Sequence, residues 1–226
     1  MSLRCKTREY QAVVFDMDGV IFDSERAIQE CWDMIGEKYD IPDARETCLM
    51  TLGVNMTEVV RIFKARYGQK FPFEKYSEEV NRLYWEKFDD GRLPMKPGVV
   101  ELLEYLKQSG KKIALASSTY REKVMREIQA AGLQLYFDEL ICGDMVERSK
   151  PDPDIYLKAC AALSVNPSEA YAIEDSYNGI RSASLAGLHP IMVPDIKGPT
   201  EEMKTLTEVI LPSLHDVLEY LEQRYI

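Results

Sequence analysis

Apolar residues fall into two rhythms along this chain, and the rhythms alternate. The first is a short unbroken run that ends in polar turn residues. Residues 11–15 carry Ala-Val-Val-Phe and close on Asp16-Met17-Asp18-Gly19. An apolar run bounded by a turn predicts a strand buried on both faces, as strands of parallel sheets are. Residues 112–116 repeat the pattern and lead into Ser117-Ser118-Thr119, and residues 170–173 lead into Glu174-Asp175-Ser176. Shorter runs at 139–142 and 190–193 predict two further strands. The second rhythm is a stripe of apolar residues three and four apart, which predicts helices at 99–109, 121–131, 154–163, 179–186 and 213–224. Gly110, Gly132 and Gly187 stand where three of these helices should stop.

Between the first strand and residue 92 the strand rhythm is missing. Asp23 and Ser24 offer caps for a helix that runs to Tyr39 and is stopped by Asp40-Ile41-Pro42, and further helices are predicted at 57–67 and 74–88. Strands alternating with helices of about ten residues predict an α/β fold built on a doubly wound, Rossmann-like parallel sheet. The helical block is then an insertion. Residues 1–24 and 93–226 would form the α/β core, and residues 25–92 an all-helical domain. A chain of 226 residues is long enough for such a core to bury roughly 70% of its unfolded surface, without disulfides or a structural metal.

Charge narrows the partners. With 38 acidic and 28 basic side chains the formal net charge is −10, a field that repels nucleic-acid phosphates and anionic membranes. An anionic substrate would therefore need a local cationic cluster or a metal. No apolar run approaches the roughly 18 residues of a membrane span, and MSLRCKTREY lacks the apolar stretch of a signal peptide. Cys5, Cys31, Cys48, Cys142 and Cys160 are odd in number and widely spaced, which reads as free thiols in a reducing compartment. The expectation is a cytoplasmic protein, a monomer or weak homo-oligomer, with no nucleic-acid or membrane partner.

In open α/β sheets the ligand sits outside the carboxyl ends of the strands. Three predicted strand ends carry Asp16 and Asp18, Ser117 and Ser118, and Glu174 and Asp175. Four carboxylates would thus converge on one rim. Like charges so close need a cation, and hard carboxylate oxygens suit Mg²⁺. Asp16, Asp175 and a backbone oxygen would hold the metal, with Glu174 either ligating it or standing just behind. The two histidines, His189 and His215, are too few for a His-rich zinc site. Each residue alone has a plainer reading: Asp16 and Asp18 as turn caps, Ser117 and Asp175 as helix caps, Lys150 as a solvated lysine before a proline. The plainer readings are indifferent to one another, whereas all these residues fit one site.

The segment VVFDMDGVIFDSE resembles the first motif of the haloacid dehalogenase superfamily. ALASST looks like its second motif, Lys150 within RSKPDPDIY like its third, and AIEDSYNGI like its fourth. The four occur in order over essentially the whole chain, and the helical block has the size and place of that superfamily's helical cap. The resemblance implies that Asp16 attacks phosphorus and carries an aspartyl-phosphate, and that Asp18 serves as acid and then base while its backbone carbonyl ligates Mg²⁺. Ser117 would hold a phosphate oxygen, with backbone N–H groups after Asp16 and Ser117 completing the cradle. Lys150 would offset the charge on Asp16 and the phosphoryl group. Ser118 and Gly53, the latter in the cap's substrate-facing loop, are further substrate-binding candidates. Glu25, Arg26, Trp85 and Lys87 are weaker cap-side ones, since Tyr84 and Trp85 lie on a helical stripe expected to face the core.

An acid at Asp18 points to phosphoryl chemistry, because the superfamily's carbon–halogen cleaving members lack it. The subgroup of β-phosphoglucomutase-like and phosphoglycolate phosphatase-like enzymes is the most similar. Where the mutase has a cap histidine twelve residues after its nucleophile, this chain has Ile28, and where it has a phosphate-gripping arginine this chain has Met56. The expected function is a Mg²⁺-dependent phosphatase acting on a small-molecule phosphate ester. A sugar phosphomutase, or a non-catalytic phosphometabolite-binding protein, is the alternative.

Overall fold

The computed structural model describes residues 10–51, 56–89 and 91–223. It divides into two compact units, one covering the residues up to Asp23 and from Met95 onward, the other Ser24–Pro94.

Among the described residues the first unit is built on six strands: β1 (Ala12–Phe15), β2 (Lys112–Ser117), β3 (Glu139–Cys142), β4 (Ala170–Glu174), β5 (His189–Met192) and β6 (Val209–Ile210). They pair in parallel in the order β3-β2-β1-β4-β5-β6, with Val13 opposite Ile113 on one side and Tyr171 on the other. All four residues of β1 are fully buried, which is why its sequence shows no alternation. Ala12, Ala114, Ala116, Ala170 and Ala172 give one face of the sheet small side chains. Bulkier residues of the helix Asp154–Leu163, among them Ile155, Tyr156 and Leu163, fill the space those alanines leave. Val13, Phe15, Ile113 and Leu115 alternate with that set and turn to the opposite face, where the helix Val99–Gln108 packs on β2 and against the helix Leu214–Glu222. The chain leaves β1 for β2 on one side and returns to β4 on the other. That reversal of strand order opens a crevice at the carboxyl ends beside β1.

The doubly wound α/β expectation holds, with differences at the edges. β2 and β4 run one residue further than the apolar runs imply, so Ser117 and Glu174 are strand residues held in register with Cys142 and Met192. The helix Tyr177–Leu185 starts two residues before Gly179, because the Ser176 hydroxyl accepts from the Gly179 N–H and caps it. The short helix Glu201–Leu206 and the two-residue β6 are not legible in the sequence, since neither spans a full period of its pattern.

Among the described residues the second unit holds four helices: α1 (Ser24–Lys38), α2 (Ala44–Thr51), α3 (Met56–Tyr67) and α4 (Phe73–Phe88). An aromatic cluster forms its core. Fully buried Phe63 meets Trp32 at 5.1 Å and Phe73 at 4.9 Å between ring centroids, and Tyr76 stands edge-on to Trp32 and Tyr39. Arg66, near the end of α3, donates to Asp43 and Glu46 and ties α3 to the start of α2. Among the described residues no helix is long and apolar enough to cross a membrane.

Candidate active site

Asp16 is the first residue past β1. Its N–H donates to the Ile173 carbonyl at 3.0 Å, so the ladder with β4 fixes the backbone at the point where the side chain leaves it. The carboxyl group is nearly buried, and its Oδ1 accepts from Lys150 Nζ at 2.6 Å. Lys150 has three donors, and each has a partner: Asp16 Oδ1, Glu174 Oε1 at 2.6 Å and the Ala116 carbonyl at 2.9 Å. Glu174 is fully buried. Its Oε1 also accepts from the Tyr156 hydroxyl at 2.8 Å, and its Oε2 from the Ser176 N–H and hydroxyl at 3.2 and 3.0 Å. Both of its oxygens therefore carry protein donors.

Ligand oxygens of Asp16, Glu174 and Asp175 lie within 4.8 Å of one another. Gly19 leaves room for this cluster. Its φ is +81°, and a Cβ there would fall 2.3 Å from Asp175 Oδ2. Burial pushes the Asp16 carboxyl well above its ordinary range. Lys150 pulls it back, and the neighbouring charges of Glu174 and Asp18 push it up again. Burial would discharge Lys150, but Asp16 and Glu174 hold its ammonium in the charged form and raise its pKa. Lys150 thus pairs with two carboxylates, Asp16 and Glu174, at a place where the ligand oxygens of three gather. The oxygen-only donor set fits a hard divalent cation such as Mg²⁺. Asp16, Glu174 and Asp175 are the carboxylates whose oxygens stand close enough together to share such an ion.

Asp18 lies on the same turn, and its Oδ2 accepts from the Thr119 hydroxyl at 3.0 Å. Ser117 is buried at the end of β2, and its hydroxyl accepts from the Thr119 N–H at 3.1 Å, closing a tight turn with the exposed Ser118 at its tip. A Cβ on Gly143 would come 2.1 Å from the Ser118 carbonyl, so glycine is needed for β3's exit to pack on this turn. The first unit thus brings Asp16, Asp18, Ser117, Ser118, Lys150, Glu174 and Asp175 to the carboxyl ends of β1, β2 and β4. Three of the plainer readings fail. Ser176 rather than Asp175 caps its helix, the helix Arg121–Ala130 donates its first N–H to Asp144 Oδ1 rather than to Ser117, and the Lys150 side chain is 6% exposed.

Three contributors lie inside the motif segments, yet the resemblance gives none of them a role. Tyr156 sits inside a helix like any core aromatic, Thr119 reads as one more hydroxyl, and Ser176 reads as a helix cap. Their partners lie 18, 101 and 2 residues away. In the helical unit Tyr84 is buried as expected, but Trp85 is 40% exposed and is not a core residue. Glu25 and Arg26 lie in the first turn of α1, and Lys87 donates to Glu30 at 2.5 Å. Ile28 is half-buried and Met56 exposed. Gly53 lies outside the described residues.

A family model described as haloacid dehalogenase-like hydrolase matches residues 13–193. The chain is similar to the phosphorylated carbohydrates phosphatase of Thermotoga maritima, at 34% identity over 181 residues that cover 80% of this chain and 83% of that one. It is also similar to hexitol phosphatase B of Escherichia coli, at 29% identity over 224 residues, covering 93% and 95%. Among solved structures, CbbY from Rhodobacter sphaeroides in complex with phosphate matches with a TM-score of 0.68 and 26% identity, covering 92% of this chain and 96% of that one.

Proposed function

The chain belongs to the haloacid dehalogenase-like hydrolases and is a phosphoric monoester hydrolase, and from that footing we propose that it dephosphorylates small phosphorylated sugars or sugar alcohols through an aspartyl-phosphate on Asp16. The observation that carries this reading is the Asp16–Lys150 contact at 2.6 Å, at the carboxyl end of the central strand and beside two further carboxylates. A buried carboxylate held by a saturated ammonium is aimed and cannot rotate away. Placement of this kind converts a bimolecular attack into a unimolecular one.

Asp16, Asp175 and the backbone oxygen of Asp18 would hold Mg²⁺, with Glu174 supporting them. When bound, the ion supplies charge neutralisation for the carboxylates and the phosphoryl oxygens. An Asp16 oxygen forms the new bond to phosphorus while the ester P–O bond breaks, and Asp18 gives its proton to the departing oxygen. Asp18 then takes a proton from water, whose oxygen bonds to phosphorus and releases Asp16. Ser117 and Ser118 would cradle the non-bridging oxygens, and Lys150 offsets the charge on Asp16 throughout. Ile28 has no polar atom to gate Asp18 and Met56 no charge for a second phosphate, so water rather than a returning sugar is the proposed acceptor. The helical unit Ser24–Pro94 is assigned as the specificity-setting cap. The described cysteines are all free thiols, in keeping with a reducing, cytoplasmic setting.

Phosphate release from hexose and hexitol phosphates, with and without Mg²⁺, tests the reading directly. Asp16→Asn removes the attacking anion and should lower turnover by at least ~10³-fold. Near-normal turnover by the folded variant would sink the assignment.

A further inference from the structure

Asp18 is held by the last residue of ALASST, to which the resemblance gives no role. We propose that Thr119 is the positioning residue for Asp18, fixing one carboxylate oxygen so that the other carries the proton delivered to the leaving group; this rests on the acid role given to Asp18 above. The Thr119 hydroxyl donates to Asp18 Oδ2 at 3.0 Å across 101 residues of sequence. The threonine backbone is locked on both sides: its N–H donates to the Ser117 hydroxyl at 3.1 Å, and its carbonyl accepts from the Gly143 N–H at 3.0 Å. Gly143 packs so close to the Ser118 carbonyl that a Cβ there would lie 2.1 Å from it, which removes slack from the turn. The hydroxyl therefore stands on a rigid support. A donor on Oδ2 favours negative charge on that oxygen, so the proton of the acid form resides on Oδ1. One turn thus carries both the serines assigned to the phosphate and the hydroxyl that orients the acid.

The test uses two esters that differ in their need for an acid. A departing sugar alkoxide must be protonated, whereas nitrophenolate leaves as a stable anion. The ratio kcat/KM reports events up to formation of the aspartyl-phosphate, so the later use of Asp18 as a base does not enter it. In Thr119→Val we expect kcat/KM on a hexose phosphate to fall about 30-fold and on p-nitrophenyl phosphate less than about threefold. Thr119→Ser keeps the hydroxyl and should stay within about threefold on both esters. Thr119→Ala replaces the valine variant if that chain does not fold. Asp18→Asn, measured alongside, should show the same ester selectivity more strongly. If Asp18→Asn is selective and Thr119→Val is not, the inference is overturned while the acid role stands. If neither is selective, the acid role falls and the inference falls with it.

Discussion

Replacing Gly179 with alanine should destabilise this protein, although helix propensity predicts the reverse. Gly179 lies in the first turn of the helix Tyr177–Leu185 and has no left-handed φ, so alanine there would ordinarily gain about 1 kcal/mol. An alanine Cβ would, however, stand 1.8 Å from Glu174 Oε1 and 1.9 Å from its Cδ. A flexible glutamate could swing aside cheaply. This one is fully buried and its oxygens accept from Lys150, Tyr156 and Ser176. Overpacking costs roughly 1–3 kcal/mol, and separating Glu174 from Lys150 approaches the roughly 3–5 kcal/mol of a broken buried ion pair. The expected net loss is about 2–4 kcal/mol, which for a chain of this size lowers Tm by roughly 5–15 °C. Urea unfolding with the slope held against wild type measures the loss. Gly198→Ala, where a Cβ meets nothing within 4 Å, is the control and should stay within about 0.5 kcal/mol. Turnover should fall as well, because a displaced Glu174 frees one donor of the lysine that aims Asp16. A Gly179→Ala protein as stable as wild type would refute the packing described for Glu174.

Further outcomes are expected. EDTA should abolish activity and Mg²⁺ restore it, while Ca²⁺, with more and longer ligand bonds, should restore little; full activity in a metal-free preparation would contradict the metal-holding role proposed for the carboxylate cluster. Phe63→Ala, at the centre of the aromatic cluster, should cost about 3–5 kcal/mol by calorimetry of the purified chain. The Tyr67 hydroxyl bond at 2.8 Å holds the Asp43 carboxyl below its usual range, so its contribution is complete above the unfolded pKa and is lost as pH falls through the lower folded one. The stability gap between wild type and Tyr67→Phe, about 1 kcal/mol at neutral pH, should therefore narrow below about pH 4; a gap independent of pH would rule out the charged partner. Burial pushes the Cys48 thiol up to about 12 and the Cys160 thiol up to about 11, so neither should react with a thiol reagent at pH 8 until the chain unfolds.

The sequence by itself determined the alternation of strand and helix and the identity of the strand-end residues. Both are written in local patterns: β1, β2 and β4 are buried on two faces and so read as unbroken apolar runs, and their polar ends read as turns. Motif resemblance also linked Lys150 to Asp16, although 134 residues separate them and no periodicity connects the two. Gly179 shows what remained hidden. In the sequence it reads as the beginning of a helix, and in the fold it is the floor beneath Glu174. Thr119 and Tyr156 likewise look interchangeable with other hydroxyl and core residues until the sheet brings them to Asp18 and Glu174. Only the tertiary structure decided these roles, because hydrogen bonding and steric room depend on which atoms are brought within about 3 Å of each other, and β-sheet pairing sets that across distances that local patterns do not encode.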